Sequence, residues 1–313
     1  MRILIIGFGS IGKRHYNNLT TLGYRKISIF EPDEKQIKGF NFDRINKLSI
    51  KLLSDFNLVF ICTPNNLHIK QAIIAAKAGC NLFIEKPLSH NLQRIAELDN
   101  ICQKKHLVTM VGCNLRFHPC LEFIKKYLSD NKLGKIHSIF LEFGYYLPYW
   151  RLDQDYRKNY AAKKQSGGGI ILDDIHEFDL LFWFNGFNRV LDSKFIYNNS
   201  GKLQIETEDN CLASFSFANK VLGLVKCDYL QKAYSRHCKI VGENGNLTWN
   251  FKENIVRFEN EKSQKKLFQI KNYDFNDSYI NELKYFFSCI EKKAVTFNNI
   301  SMAEKTLNFC VEK

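Results

Sequence analysis

Arg2–Gly12 reads RILIIGFGSIG. A short apolar, β-branched run has the composition of a buried strand. It breaks at Gly7-Phe8-Gly9-Ser10-Ile11-Gly12, and an amphipathic segment continues to about Leu22. That order predicts strand, glycine turn and helix. The first glycine makes the tight turn, the second lets backbone approach a pyrophosphate, and the third lets helix pack on strand. Free N–H groups at the helix start then favour a bound phosphate. Gly7, Gly9, Ser10, Ile11 and Gly12 are the candidate contacts of a dinucleotide cofactor.

The next apolar run, Lys26–Phe30, ends at Glu31, about twenty residues after the turn, where an acidic side chain accepts hydrogen bonds from the adenosine ribose. A carboxylate there repels a 2′-phosphate, which favours NAD over NADP; the alternative is a solvated loop residue. Leu58–Cys62 is another buried strand, followed by Thr63-Pro64-Asn65-Asn66 and a helix with Ile69, Ala72, Ile73 and Ala76 inward, closed by Gly79. Leu82–Pro87, LFIEKP, reads as a strand stopped by Glu85 and Lys86, with a proline that cannot extend a ladder. In an open α/β sheet, ligands bind outside the carboxyl ends of the strands. Lys86 is therefore a candidate substrate cation, or else a strand-end lysine in water. A helix over Leu92–Lys104 and a strand over Leu107–Cys113 complete the alternation of a parallel, doubly wound sheet.

Beyond that the pattern changes. Lys135–Tyr146 reads as a strand, Pro148–Lys164 as an aromatic, basic loop, and Leu172–Asn185 as a helix after Gly167-Gly168-Gly169. Strands such as Asn210–Phe217, Val221–Cys227, His237–Val241 and Asn246–Asn250 follow, then helices over Asn276–Glu291 and Ser301–Lys313. This predicts an α/β chain of two domains: a Rossmann domain over 1–118, and an α+β domain over 119–313 with an open, mostly antiparallel sheet. The last helices are free to pack back on the first domain. In Asp173-Asp174-Ile175-His176, the first and last residues share a face if helical, and Asp174 points elsewhere. A carboxylate beside an imidazole suits a general base; the alternative makes Asp173 an N-cap.

Length and composition agree with this reading. At 313 residues, with 45% hydrophobic and 25% charged residues, the chain has material for two cores. Its first apolar run stops at Gly7, shorter than a signal core needs. No stretch approaches the ~20 apolar residues of a membrane span, so a cytoplasmic protein without membrane partners is expected. Ten scattered cysteines form no CxxC and no zinc spacing, so no metal is expected. The +13 formal charge is dispersed rather than gathered in a stripe, which argues against nucleic acid.

Taken together, the glycine turn, Thr63-Pro64-Asn65 with His68, Glu85-Lys86-Pro87, and Gly167-Gly168-Gly169 leading to Asp173 and His176 resemble the Gfo/Idh/MocA family. The resemblance covers essentially the whole chain. It implies an NAD(P)-dependent sugar or cyclitol oxidoreductase, homodimeric or homotetrameric. In that scheme Lys86 is the catalytic lysine, His176 the acid/base and Asp173 its partner, although the commoner spacing sets the aspartate four residues before the histidine. Thr63, Pro64, Asn65, His68 and Glu85 would lie with the cofactor. Cys113–Pro119 (CNLRFHP) and Tyr146–Tyr160 (YLPYWRLDQDYRKNY) are similar to a subgroup tied to bacterial surface-polysaccharide sugars. That likeness offers Arg116, Trp150, Arg151, Tyr156 and Arg157 as contacts to a sugar or nucleotide sugar, against the alternative of an ordered loop or oligomer interface. A second function is a dinucleotide-binding regulator or scaffold that keeps the fold without turnover.

Overall fold

A computed structural model describes every residue except 151, 153 and 313. The chain divides into two units, Met1–Cys113 with Tyr279–Glu312, and Asn114–Ser278. Relative to the expected division after residue 118, Asn114–His118 belongs to the second unit and the closing helices to the first.

The first unit holds six strands: β1 (Ile3–Ile6), β2 (Ile27–Phe30), β3 (Asp43–Arg44), β4 (Leu58–Ile61), β5 (Asn81–Ile84) and β6 (Thr109–Val111). They pair in parallel in the order β3-β2-β1-β4-β5-β6, which is the doubly wound order. Helices α1 (Ser10–Thr21), α2 (Glu34–Ile37), α3 (Ile50–Leu53), α4 (His68–Ala78) and α5 (Ile95–Lys104) connect them. Ile3–Ile6 and Leu58–Ile61 have no exposed surface. A strand covered on both faces needs a continuous apolar run rather than an alternating one, and that is how these segments read. The third glycine of the turn is a packing requirement: a Cβ on Gly12 would stand 2.1 Å from the Gly7 carbonyl oxygen. The segment 33–53, unassigned in the sequence, supplies only the two-residue edge strand β3 and two single-turn helices.

The second unit carries α6 (Pro119–Ser129), β7 (Ile136–Tyr146), α7 (Leu147–Trp150), α8 (Ile170–Asp173), α9 (Ile175–Phe184) and seven further strands. These are β8 (Val190–Asn198), β9 (Asn210–Phe217), β10 (Leu222–Asp228), β11 (Leu230–Gly242), β12 (Gly245–Asn250), β13 (Ile255–Asn260) and β14 (Ser263–Gln269). The sheet order is β14-β13-β12-β11-β7-β10-β9-β8, antiparallel except where β10 runs beside β7. Along β9, Cys211, Ala213, Phe215 and Phe217 are buried and the residues between them face out. The buried face packs on α9, eight of whose ten residues are buried. On the other face, register places Ile196 opposite Leu212, with Leu222 and Leu224 on the adjoining strand; all four are exposed.

Helices α10 (Asn276–Lys292) and α11 (Ile300–Val311) end the chain. Within the first unit their connecting segment protects the β6 edge. The Thr296 hydroxyl donates to the Thr109 carbonyl at 2.6 Å and the Asn298 amide to the Val111 carbonyl at 2.8 Å. Buried Glu282 accepts the Cys113 N–H at 2.6 Å. Among the described residues no helix is long and apolar enough to cross a membrane.

Candidate active-site residues

In the first unit, chain leaves β1 through Gly7 and enters α1 at Gly9. No side chain caps that helix start, and its first turn carries no acid. A Cβ at Gly9 would meet nothing within 4 Å. Uncapped N–H groups, the positive end of the helix dipole and open space form a site that a pyrophosphate fits. Glu31 follows β2 directly. One of its oxygens accepts the Phe8 N–H at 2.7 Å and the other the Asp33 N–H at 2.9 Å. The carboxylate is thus locked beside the glycine turn, with lone pairs left for a ribose diol. Arg44, the nearby cation that could welcome a 2′-phosphate, is forked onto Glu34 at 2.9 and 2.5 Å. Glu31→Ala is therefore expected to weaken NAD binding by roughly tenfold, the loss of one charge-assisted hydrogen bond, while sparing NADP. Titration of both cofactors measures this, and equally tight NADP binding by the unaltered protein would contradict it.

Past β1, the next strands of the sheet are β4 and β5. Thr63 and Pro64 stand at the end of β4, half-buried and exposed respectively, and Asn65 is buried in the turn that follows. His68 has no exposed surface. Its Nδ1 lies 2.9 Å from the Pro87 carbonyl and its Nε2 2.8 Å from the Thr63 carbonyl. Burial holds its pKa below the ordinary value, despite the pull of these carbonyls and of Glu85. His68, expected as a cofactor contact, clamps the loop after β4 to the loop after β5. Glu85, expected beside the cofactor like His68, is also buried. The residue is 7% exposed, and its carboxylate is bonded to His15 Nε2 at 2.6 Å and to the Lys86 N–H at 3.2 Å. Burial pushes the Glu85 carboxyl up, but His15 and Lys86 outweigh it and hold it below the usual range. Lys86 itself is half-buried, beside a cis Lys86–Pro87 peptide.

In the second unit the expected continuous helix is broken. α8 ends at Asp173, Asp174 leaves helical geometry at φ −109° and ψ 40°, and α9 starts at Ile175. The break falls between Asp173 and His176, so the two stand on separate helices. What Asp173 holds is a set of tyrosines: the hydroxyls of Tyr145 at 3.1 Å and Tyr229 at 3.0 Å, and that of Tyr160. Burial first, then the Asp173 charge, pushes the Tyr145 and Tyr229 hydroxyls well above their ordinary pKa, so they remain donors. Asp174 makes no side-chain cap for α9, and it does not point idly away. It pairs with Arg236 at 2.8 Å, and Glu177 approaches the same guanidinium at 2.7 Å. All three side chains are buried, and the guanidinium lies 4.0 Å from the Phe143 ring centroid. Burial opposes its charge, but Glu177, Tyr234 and Asp174 more than offset this. A Cβ on Gly168 would stand 2.3 Å from the Tyr160 carbonyl oxygen, so the close neighbour it admits is the chain's own backbone. His176 is half-buried in the first turn of α9.

Two expected substrate arginines are already engaged. Arg116 is buried and forked onto Asp179 at 2.8 and 2.6 Å, near the rings of Trp183 and Phe187. Arg157 is forked onto Asp155 at 2.7 and 2.9 Å and reaches Gln204 at 3.1 Å. The Tyr156 hydroxyl accepts the Gln204 N–H at 3.3 Å. These contacts hold each arginine on a carboxylate of its own chain, with the Arg157 side chain still 54% exposed. Trp150 remains 51% exposed, its ring centroid 4.5 Å from that of Tyr145, one of the tyrosines on Asp173. Arg151 lies outside the described residues.

The sequence signals missed His15, the three tyrosines and Arg236. His15 could have been found: with Gly12 and Leu19 it lies on the buried stripe of α1, where a histidine requires a partner.

Comparison with known proteins agrees with both halves. Residues 1–113 match the profile of an oxidoreductase family with an NAD-binding Rossmann fold, and residues 121–248 match the GFO/IDH/MocA C-terminal domain. The chain is 27% identical to levoglucosan dehydrogenase of Pseudarthrobacter phenanthrenivorans, over 69% of this chain and 61% of that protein. It is 26% identical to myo-inositol 2-dehydrogenase of Thermotoga maritima, over 91% of this chain and 87% of that one. A solved levoglucosan dehydrogenase in complex with NADH superposes with a TM-score of 0.84, at 19% identity, covering 99% of this chain and 95% of that one. With consecutive matches to its nucleotide-binding and C-terminal domains, the chain belongs to the Gfo/Idh/MocA family of NAD-binding oxidoreductases.

Proposed function

We propose that the protein oxidises or reduces a sugar, cyclitol or nucleotide sugar at a hydroxyl-bearing carbon, using NAD. The observation that carries this is Lys86, a half-buried cation at the carboxyl end of β5 in a sheet whose β1 turn is built for a pyrophosphate. Bound NAD supplies the hydride acceptor. Lys86 orients and polarises the substrate oxygen, and His176 takes or returns its proton. Asp173 tethers three tyrosines and, through Tyr145, sets the Trp150 face on which a sugar ring stacks. NADH formation with a panel of cyclitols, sugars and nucleotide sugars tests the reading. A panel without turnover, by protein that binds NAD, would favour the regulator instead.

The Cys113–Pro119 and Tyr146–Tyr160 likenesses support a place in bacterial surface-glycan synthesis, in the cytoplasm. The exposed apolar face around Ile196, Leu212, Leu222 and Leu224 supports a homodimer or homotetramer. Light scattering on the purified protein is expected to give two or four times the chain mass, and a monomer would contradict this.

A further inference from the structure

His15 has no exposed surface and sits among the rings of Phe60, Phe83 and Tyr279, with centroids 5.3, 5.1 and 6.2 Å away. An ionised carboxylate only accepts, so the 2.6 Å contact has Nε2 donating to Glu85. Among the described residues His15 Nδ1 has no hydrogen-bond partner. An unsatisfied buried polar atom costs on the order of 1–3 kcal/mol, whereas replacing both partners of a buried hydrogen bond by apolar groups of the same shape is often nearly neutral. The pair is thus a poor choice for stability alone. Its geometry indicates what it does. One Glu85 oxygen is held by His15, on the helix whose first turn forms the pyrophosphate site, and the other holds the N–H of Lys86.

We propose that the His15–Glu85 pair is a positioning device that fixes the Lys86 backbone relative to helix α1, so that lysine and cofactor are held in one register. The proposal rests on the reading of Lys86 as the substrate-orienting cation. Neither His15 nor Glu85 touches the reacting atoms; both act through Lys86.

The test is a double-mutant cycle on the full chain with His15→Gln and Glu85→Gln, with His15→Ala and Lys86→Ala alongside. His15→Ala is expected to lower kcat by roughly 10–100-fold, the usual scale for misplacing a reacting group by about 1 Å, with the Kd for NAD nearly unchanged. His15→Gln, which keeps a donor, recovers part of that loss. The double variant loses little more than the worse single one, because both break the same link. Should His15→Ala fail to fold, the glutamine cycle still decides. Additive losses, or NAD affinity falling in step with kcat, would overturn the proposal, since the pair would then serve the fold or the cofactor. Wild-type kcat in the folded His15 and Glu85 variants, with Lys86→Ala inactive, would overturn it while leaving the lysine reading intact. An active Lys86→Ala would remove the lysine reading first, and the positioning claim with it.

Discussion

Lys86→Ala is expected to reduce turnover by about 10²–10⁴-fold, the range for removing a group that acts on the transferred proton or its oxygen. NAD binding should be nearly untouched. The dinucleotide is assigned to the uncapped start of α1 and to Glu31, at the ends of β1 and β2, whereas Lys86 follows β5. Lys86→Arg should not restore activity: a guanidinium is planar and presents its donors in a fixed fork, unlike a compact ammonium. Steady-state kinetics with the best substrate of the panel, beside an NAD titration, separate the two effects. Turnover near that of the unaltered protein would leave Lys86 as a strand-end lysine in water.

The second large effect is on stability. Arg236→Ala is expected to cost about 3–5 kcal/mol, because it strands two buried carboxylates without their cation. Asp174 and Glu177 both close on that guanidinium, so the variant leaves like charges a turn apart at the start of α9. The same link holds Asp174 at the break between α8 and α9, one residue before the turn that bears His176. Urea unfolding measures the loss. A cost below about 1 kcal/mol, the worth of an exposed ion pair, would mean that the cluster is solvated.

The first unit was legible because its signals are local. RILIIG, the glycine turn and LFIEKP each state strand, turn and strand end within a few residues, and β1, α1 and the stop at Glu85 follow from them. The order of the eight-stranded sheet was not legible. Pairing β10 in parallel with β7 is a long-range choice that no alternation of apolar residues encodes. The site divides in the same way. The sequence placed Glu31 and Lys86 at strand ends, yet it could not show that Arg116 meets Asp179 63 positions away, or that His15 meets Glu85 70 positions away. Periodicity reveals which face of an element is buried, not which group it faces. The helix break at Asp174 was hidden for a related reason: the partner that Asp174 meets there is Arg236, on β11.

Direct hydride transfer is the centre of this account, and isotope transfer tests it most directly. The substrate that turns over, carrying deuterium on the hydroxyl-bearing carbon, is incubated with NAD, and the NADH formed is examined by mass spectrometry and proton NMR. The account predicts one deuterium per NADH, bonded at nicotinamide C4, and none lost to water. Deuterium released to solvent, or kept in a product formed without NADH, would contradict it.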